Sequence, residues 1–147
     1  MILKLIKLIE LNKKKLKVGI SVGDPNGIGI EVILKSFQNH ETLRLLNPVI
    51  FANIEIIEYQ MRHFNINFEL NSIQTFEEIR SDRINVYNLP LDDFKHSFGE
   101  STIQGGQVAL KSLLSSTTAL KSGKIEALVT APINKKNIQS ETFNFIG

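Results

Sequence analysis

The sequence contains no cysteine, and this absence excludes several classes of protein. Without cysteine the chain has no disulfide framework, no thiolate nucleophile and no Cys-ligated zinc or iron–sulfur centre. Only three histidines are present, which leaves little for a His-rich metal site. No apolar run reaches the ~18 residues that a transmembrane helix needs, so we expect no membrane partner.

An excess of one charge is also missing. The chain carries 17 Lys and Arg against 15 Asp and Glu, a formal net charge of +2. A nucleic-acid-binding domain usually has a basic excess over its whole surface, so we expect no nucleic-acid partner. The 147 residues, 42% of them hydrophobic, suit one globular domain with a substantial core.

The amino-terminal segment, residues 1–16, reads MILKLIKLIELNKKKL and is predicted to be a loosely ordered leader. Lys4, Lys7 and Glu10 interrupt its apolar residues, and no Ala-x-Ala site follows. The segment therefore does not fit a signal peptide, and we expect a cytoplasmic protein. Two alternatives are a basic amphipathic helix at a membrane surface and a start codon assigned too early.

From Lys17 onward, short apolar segments alternate with segments of helical spacing. Strands are predicted at 17–22, 49–52, 66–70, 84–89 and 127–129, and helices at 27–37, 54–64 and 101–122, with a last helix starting at 134–139. The strands are short and apolar on both faces. This pattern predicts an α/β fold with a mostly parallel sheet and helices on both of its faces.

Helical spacing also predicts which faces are buried. In the first helix the predicted stripe is Ile28, Val32 and Phe37, with Ile33 and Leu34 beside it. In the long helix the predicted stripe is Ile103, Leu110, Leu113, Leu114, Thr117 and Leu120. The run Ser115–Thr118 is expected to be the solvated side of that helix.

The first motif with chemical potential is Gly23-Asp24-Pro25-Asn26-Gly27-Ile28-Gly29, between a strand and a helix. Glycines let a backbone approach a ligand, and a helix start favours a phosphate or carboxylate. The predicted cofactor-binding residues are therefore Asp24, Asn26, Gly27 and Gly29. The spacing matches neither G-x-G-x-x-G nor Walker A, so a generic glycine-rich turn is the alternative.

The second motif, Thr130-Ala131-Pro132-Ile133-Asn134-Lys135, follows a predicted strand. Open α/β folds bind ligands at the carboxyl ends of their strands. Thr130 and Lys135 are candidate catalytic residues, and Asn134 and Lys135 are candidate substrate contacts. A strand end followed by a proline turn and solvated lysines is the alternative.

Other polar residues have simpler interpretations. Gly105 and Gly106, near the start of the long helix, are expected to allow close packing. His40, His63 and His96 have no partner at helical spacing and are predicted to lie on the surface or in turns. The pair Asp92-Asp93 is expected in a solvated loop, and no metal-binding residue is predicted in this chain.

Taken together, Gly-Asp-Pro-x-Gly-Ile-Gly, the helix with Gly105-Gly106 and the segment ALVTAPINKKNI resemble the 4-hydroxythreonine-4-phosphate dehydrogenase family. The resemblance covers about residues 17–147, which are then the amino-terminal part of that enzyme's fold. It implies a sheet similar to those of isocitrate and isopropylmalate dehydrogenases, incomplete at the carboxyl end. Ile30 stands where the family commonly has proline.

The resemblance implies an NAD-dependent, metal-dependent oxidation and decarboxylation of 4-phosphooxy-L-threonine in pyridoxal phosphate biosynthesis. The product is 3-amino-2-oxopropyl phosphate, the divalent metal is Zn, Mg or Co, and the enzyme is a homodimer. In the family, the segment matching 143–147 runs into Gly-His-Thr-Glu, and the metal-binding histidines come later. We therefore expect this chain alone to lack those residues and to be inactive.

Two alternatives remain open from the sequence. One is a truncated, inactive fragment that serves at most as a weak anion- or nucleotide-binding module. The other is a related dehydrogenase that acts on a phosphorylated threonate or erythronate.

Overall fold

The computed structural model describes residues 15–39 and 41–139, which form one five-stranded sheet and its covering helices. The strands are β1 (Leu16–Ser21), β2 (Leu46–Ala52), β3 (Leu70–Ile73), β4 (Ile84–Asn88) and β5 (Ala127–Thr130). The helices are α1 (Gly29–Ser36), α2 (Thr42–Leu45), α3 (Ile54–His63) and α4 (Ile103–Lys121), with a 3₁₀ turn at Phe76–Glu78.

The strands are arranged in the order β3-β4-β2-β1-β5, and their four pairings are all parallel. This confirms the predicted fold class. The connection from β1 to β2 runs toward one edge of the sheet, and the connection from β4 to β5 runs toward the other edge. Because parallel crossovers are right-handed, the two connections lie on opposite faces, and a crevice opens at the carboxyl ends of β1 and β5.

Alternate residues of the central strands supply two separate cores. In β2, Ile50 and Ala52 belong to the larger core, which packs against α1 and α3. Val49 and Phe51 belong to the smaller core on the other face, together with Ala119 of α4 and Ile125. The two-residue period of a strand therefore divides the hydrophobic residues between the two faces of the sheet.

The buried face of α4 differs from the predicted one. Its buried residues are small: Gly105, Gly106, Ala109, Ser112, Ser116 and Ala119. Ile103, Leu114 and Leu120 of the predicted stripe are exposed, and Leu110, Leu113 and Thr117 are half-buried. Small residues at helical spacing let the helix backbone approach the sheet closely, and this outweighs the hydrophobic pattern. Ser116, within the run predicted to be solvated, is fully buried.

The buried stripe of α1 was also predicted on the wrong residues. Ile28 and Val32 are exposed, whereas Ile30 is fully buried and packs with Ile33, Leu34 and Phe37. The helix begins at Gly29, two residues later than predicted. Ile28 therefore lies before the helix, as its N-cap residue.

Two predicted elements are wrong. Residues 66–70 do not form a strand; Ile66 and Phe68 are buried in an irregular connection, and pairing begins at Leu70. No helix forms over residues 134–139, where only 135–137 make a turn. There the Asn134 side chain accepts a hydrogen bond from the Lys136 amide, a local bond that competes with helix formation.

Several sequence predictions concern residues that the structure does not describe. Residues 1–14 of the predicted leader, His40 and the terminal residues 143–147 lie outside the described ranges. Leu16, the last residue of the predicted leader, is the first residue of β1. Among the helices of residues 15–39 and 41–139, none combines the length and hydropathy of a membrane span.

Ser112 connects α4 to the sheet by two hydrogen bonds. Its buried hydroxyl donates to the Phe51 carbonyl at 2.6 Å and accepts from the Val22 amide at 3.0 Å. We expect Ser112→Ala to lower the free energy of unfolding by about 1–3 kcal/mol, since it leaves a buried amide without an acceptor.

Ser115→Ala in the same helix is the matched control, because Ser115 is only half-buried. It should change the free energy of unfolding by less than about 0.5 kcal/mol. Urea unfolding measures both values. Equal effects of the two substitutions would show that the Ser112 bonds contribute nothing specific.

Candidate functional site

The glycine-rich turn after β1 packs directly on the segment that follows β5. Gly23 has φ +68°, and a Cβ there would lie 2.1 Å from the Pro132 carbonyl oxygen. The Asp24 amide donates to that same oxygen, and the Ala131 amide donates to the Ser21 carbonyl. Only glycine satisfies both the backbone angle and the close approach at this point.

Asp24 and Asn26, two predicted cofactor-binding residues, are buried inside this junction. Asp24 Oδ1 accepts from the Asn26 amide at 2.9 Å, and Asp24 Oδ2 accepts from Asn137 Nδ2 at 2.8 Å. The Asn137 amide group also donates to the Thr102 carbonyl. Oδ1 therefore fixes the turn itself, and Oδ2 joins the turn to the segment after β5.

Asn26 holds the loop that leads into α4. Its Oδ1 accepts from the Ser97 amide and its carbonyl accepts from the Gly99 amide, each at 2.8 Å. Its Nδ2 donates to the hydroxyl of Thr102, the residue that caps α4 by accepting from the Gly105 amide. The turn after β1, the loop 97–102 and the segment after β5 thus meet at Asp24 and Asn26.

The two glycines of α4 make this meeting possible. A Cβ on Gly105 would lie 2.7 Å from Asp24 Oδ1, and one on Gly106 would lie 2.0 Å from the Asn137 carbonyl oxygen. The prediction that Gly105 and Gly106 serve close packing is confirmed.

An open pocket of about 360 Å³ lies beside this network. Its lining includes Gly27, Ile28, Gly99, Ser101 and Asn134, together with the carboxylate residues Asp24 and Glu100. The pocket adjoins the start of α1, whose first turn has no side-chain cap among the described residues. Uncapped amides and the helix dipole at such a position favour an anionic group such as a phosphate.

The two motif glycines have different environments. Gly27 is exposed, and a Cβ there would meet no atom closer than the Asp24 carbonyl oxygen at 3.4 Å, so its backbone is open to a ligand. Gly29 is buried, and a Cβ there would lie 2.7 Å from the Val22 carbonyl oxygen. Packing alone accounts for Gly29, whereas Gly27 lines the pocket.

The structure separates the residues of the second motif. Asn134 lines the pocket and donates from Nδ2 to the Ser101 hydroxyl at 2.9 Å. Thr130 ends the exposed edge strand β5, opposite Ser21. Lys135 is exposed and follows Asn134 directly, outside the residues that line the pocket.

Two residues that support the site were not predicted from the sequence. Gln60 of α3 is fully buried and donates from Nε2 to the Pro25 carbonyl at 2.7 Å, which holds the turn. Asn137 bridges Asp24 and Thr102. A glutamine between Ile57 and Met61 on the buried side of α3 was a detectable signal, whereas nothing in the sequence marks Asn137.

Metal-ligating side chains are not grouped in this site. Over residues 15–39 and 41–139, no three His, Asp or Glu side chains lie close enough together to hold a metal ion. Asp92 and Asp93 are both exposed, as expected of a loop. Within the part of the chain that the structure describes, the pocket is lined by backbone, small polar side chains and two acidic residues.

The fold and the pocket define a class: an open parallel α/β protein with a pocket near the point where the strand order reverses. The model of the family described as pyridoxal phosphate biosynthetic protein PdxA matches residues 44–147. The chain belongs to this family, which agrees with the resemblance seen in the sequence.

Individual relatives agree with this assignment. A 4-hydroxythreonine-4-phosphate dehydrogenase of Bacteroides thetaiotaomicron is 34% identical over 93% of this chain and 38% of its own length. A Clostridium botulinum protein provisionally named D-threonate 4-phosphate dehydrogenase is 30% identical over 93% of this chain and 42% of its own. The chain spans about two-fifths of the length of these relatives.

A solved structure shows the same fold. The crystal structure of a 4-hydroxythreonine-4-phosphate dehydrogenase from Burkholderia phymatum superposes with a TM-score of 0.81 at 25% identity. The match covers 91% of this chain and 41% of that one. The relatives are named as dehydrogenases, so the family is one of oxidoreductases.

The two glycine environments generate a direct test. Gly29→Ala should destabilise the protein by about 1–3 kcal/mol, because the added Cβ overpacks against the Val22 carbonyl and Ala131. Gly27→Ala should change the free energy of unfolding by less than about 0.5 kcal/mol, because its Cβ fits the available space. Thermal or urea unfolding compares the two, and the opposite ranking would contradict the packing described for this turn.

Proposed function

We propose that this chain is part of an NAD-dependent and metal-dependent dehydrogenase that oxidises and decarboxylates 4-phosphooxy-L-threonine. The product would be 3-amino-2-oxopropyl phosphate, a step toward pyridoxal phosphate. The observation that carries this proposal is the family match, together with 34% identity to a relative named for this substrate. NAD, when bound, supplies the hydride acceptor for such an oxidation.

The pocket at the ends of β1 and β5 supports a phosphate-binding role in that reaction. We assign the backbone at Gly27 and the uncapped first turn of α1 to a phosphate of the cofactor or the substrate. In this proposal Asp24 and Asn26 act through the backbone they hold, because their polar atoms are already hydrogen-bonded to protein. Gly29 keeps the helix start close to Val22.

The second motif forms the neighbouring wall. Asn134 lines the pocket, so its amide group is placed to contact a polar substrate. Lys135 would contribute a positive charge beside a phosphate, and Thr130 a hydroxyl at the end of the edge strand. These two are proposed catalytic candidates, with Asn134 and Lys135 as substrate contacts.

The divalent metal does not fit the described residues, which contain no group of three potential ligands. We therefore propose that Zn, Mg or Co is held by sequence that the relatives possess beyond the matched two-fifths. The same source would supply the remaining substrate contacts and the interface of a homodimer. The complete enzyme would act in the cytoplasm on a phosphorylated small molecule.

A related substrate is the second candidate. The Clostridium botulinum relative is named for D-threonate 4-phosphate, and its identity to this chain is only slightly lower. Both substrates share a phosphate and a secondary alcohol. A third candidate is an inactive chain that binds anions or nucleotides weakly through the same pocket.

Turnover separates these candidates. A version extended to the full length of the relatives should reduce NAD when supplied with 4-phosphooxy-L-threonine and a divalent metal. The 147-residue chain alone should form no NADH under the same conditions. Faster turnover of D-threonate 4-phosphate by the extended version would support the second candidate, and metal-dependent NADH formation by the short chain would contradict our account.

Gly27→Val in the extended version tests the site. The added side chain should block the backbone from the ligand and weaken NAD or substrate binding. The matched control is Ser115→Val, which also introduces a valine but on α4, away from this pocket. It should leave binding unchanged. Unchanged affinity for both ligands in Gly27→Val would remove Gly27 from the proposed site.

A further inference from the structure

Six aromatic rings join α3 to the loop before α4. Tyr59 and His63 of α3 and the following Phe64 contribute three of them, and Phe94, His96 and Phe98 contribute the other three; we call this group the ring cluster. The prediction that His63 and His96 lie on the surface or in turns describes their positions. It misses the fact that both rings pack against aromatic partners.

The two histidines come from different elements, and each stacks on an aromatic ring of the other element. His96, from the loop, stacks on Tyr59 of α3 with ring centroids 3.9 Å apart and an interplanar angle of 16°. His63, from α3, stacks on Phe98 of the loop at 4.7 Å. Each histidine therefore attaches one element to a ring of the other.

The loop residues of the ring cluster belong to the same segment that contacts Asn26. Ser97 lies between His96 and Phe98, and its amide donates to Asn26 Oδ1. The Gly99 amide donates to the Asn26 carbonyl, and Gly99 lines the pocket. Release of segment 94–99 from α3 would therefore disturb one wall of the pocket.

His96 is poorly placed to carry a positive charge. Its ring is half-buried, and within the described residues its buried Nε2 has no hydrogen-bond partner. Burial first, and the nearby His63 second, lower the pKa of His96 below its ordinary value. A protonated ring would hold a buried N–H without an acceptor and a cation beside a second histidine.

Burial and His63 are the two causes of the lowered pKa of His96, and no carboxylate of the described residues is among them. The charged residues on the elements of the ring cluster are exposed except for one: Glu31 on α1 is half-buried, and the exposed ones are Glu55, Glu58 and Arg62 on α3, Asp92, Asp93, Lys95 and Glu100 on the loop, and Lys35 on α1. Lys35 lies over the ring of Phe64, and its ammonium pairs with the carboxylate of Glu31 on the same helix. Among the ionisable neighbours of His96, His63 is the one that lowers its pKa.

We propose that the ring cluster is an acid-released latch: protonation of His96 frees segment 94–99 from α3 and loosens its hydrogen bonds to Asn26. The proposal does not depend on the reaction proposed above. Because the folded form favours neutral His96, the stabilisation is complete above the unfolded value of about 6.5 and decreases as the pH falls below it. Acid therefore opens the latch, and neutral pH closes it.

Amide hydrogen exchange tests the latch in the chain as it exists. We expect exchange at Ser97 and Gly99, corrected for the intrinsic effect of pH, to accelerate several-fold between about pH 7.5 and about pH 5. The Leu89 amide, bonded to the Ala52 carbonyl away from the ring cluster, serves as the internal reference and should stay constant. Parallel acceleration at all three amides would indicate global unfolding and overturn the proposal.

Two variants isolate the histidines. His96→Phe keeps a ring against Tyr59 and removes the titrating group, so the pH dependence at Ser97 and Gly99 should disappear. His63→Gln removes the neighbouring histidine that lowers the pKa of His96, so it should reduce the pH dependence at Ser97 and Gly99. Wild-type exchange that does not change with pH, or a His96→Phe variant that keeps the full pH dependence, would show that the latch does not exist; the wild-type result decides the question even where a variant fails to fold.

Discussion

The buried carboxylate of Asp24 accepts a hydrogen bond on each oxygen, from the Asn26 amide and from Asn137 Nδ2. A charge in this position is costly unless it is fully bonded, so the surrounding chain must supply donors in fixed places. Meeting that requirement joins the turn after β1 to the segment after β5, two regions more than 100 residues apart in sequence. The candidate pocket lies at this junction.

Small residues let the junction form. Gly105 leaves room for the Asp24 carboxylate, Gly106 leaves room for the Asn137 carbonyl, and Ser112 bonds the ends of β1 and β2 to the same helix. The close fit of α4 leaves its larger apolar side chains, such as Ile103 and Leu114, exposed. Packing geometry, more than hydrophobic area, therefore determines how α4 sits on the sheet.

The sequence predicted the fold class because the buried strands and the alternation with helices are local patterns. It also located the two polar motifs, since parallel strands place their carboxyl ends together. The sequence pattern predicted the wrong buried face for α4. The close approach of this helix to the sheet favours Gly, Ala and Ser at the contact, whereas the hydrophobic pattern favoured Leu. It also missed Asn137 and Gln60, because their roles depend on partners 113 and 35 residues away that only the fold brings near.

The central claim is that Asp24 and Asn137 stabilise the junction together, and a double-mutant cycle measures this most directly. The free energies of unfolding of Asp24→Ala, Asn137→Ala and the double variant would be compared with that of the unchanged chain in urea. Our account predicts that the double loss falls short of the sum of the single losses by about 0.5–3 kcal/mol. Additive losses would contradict the claim, because they would mean that the two side chains act independently.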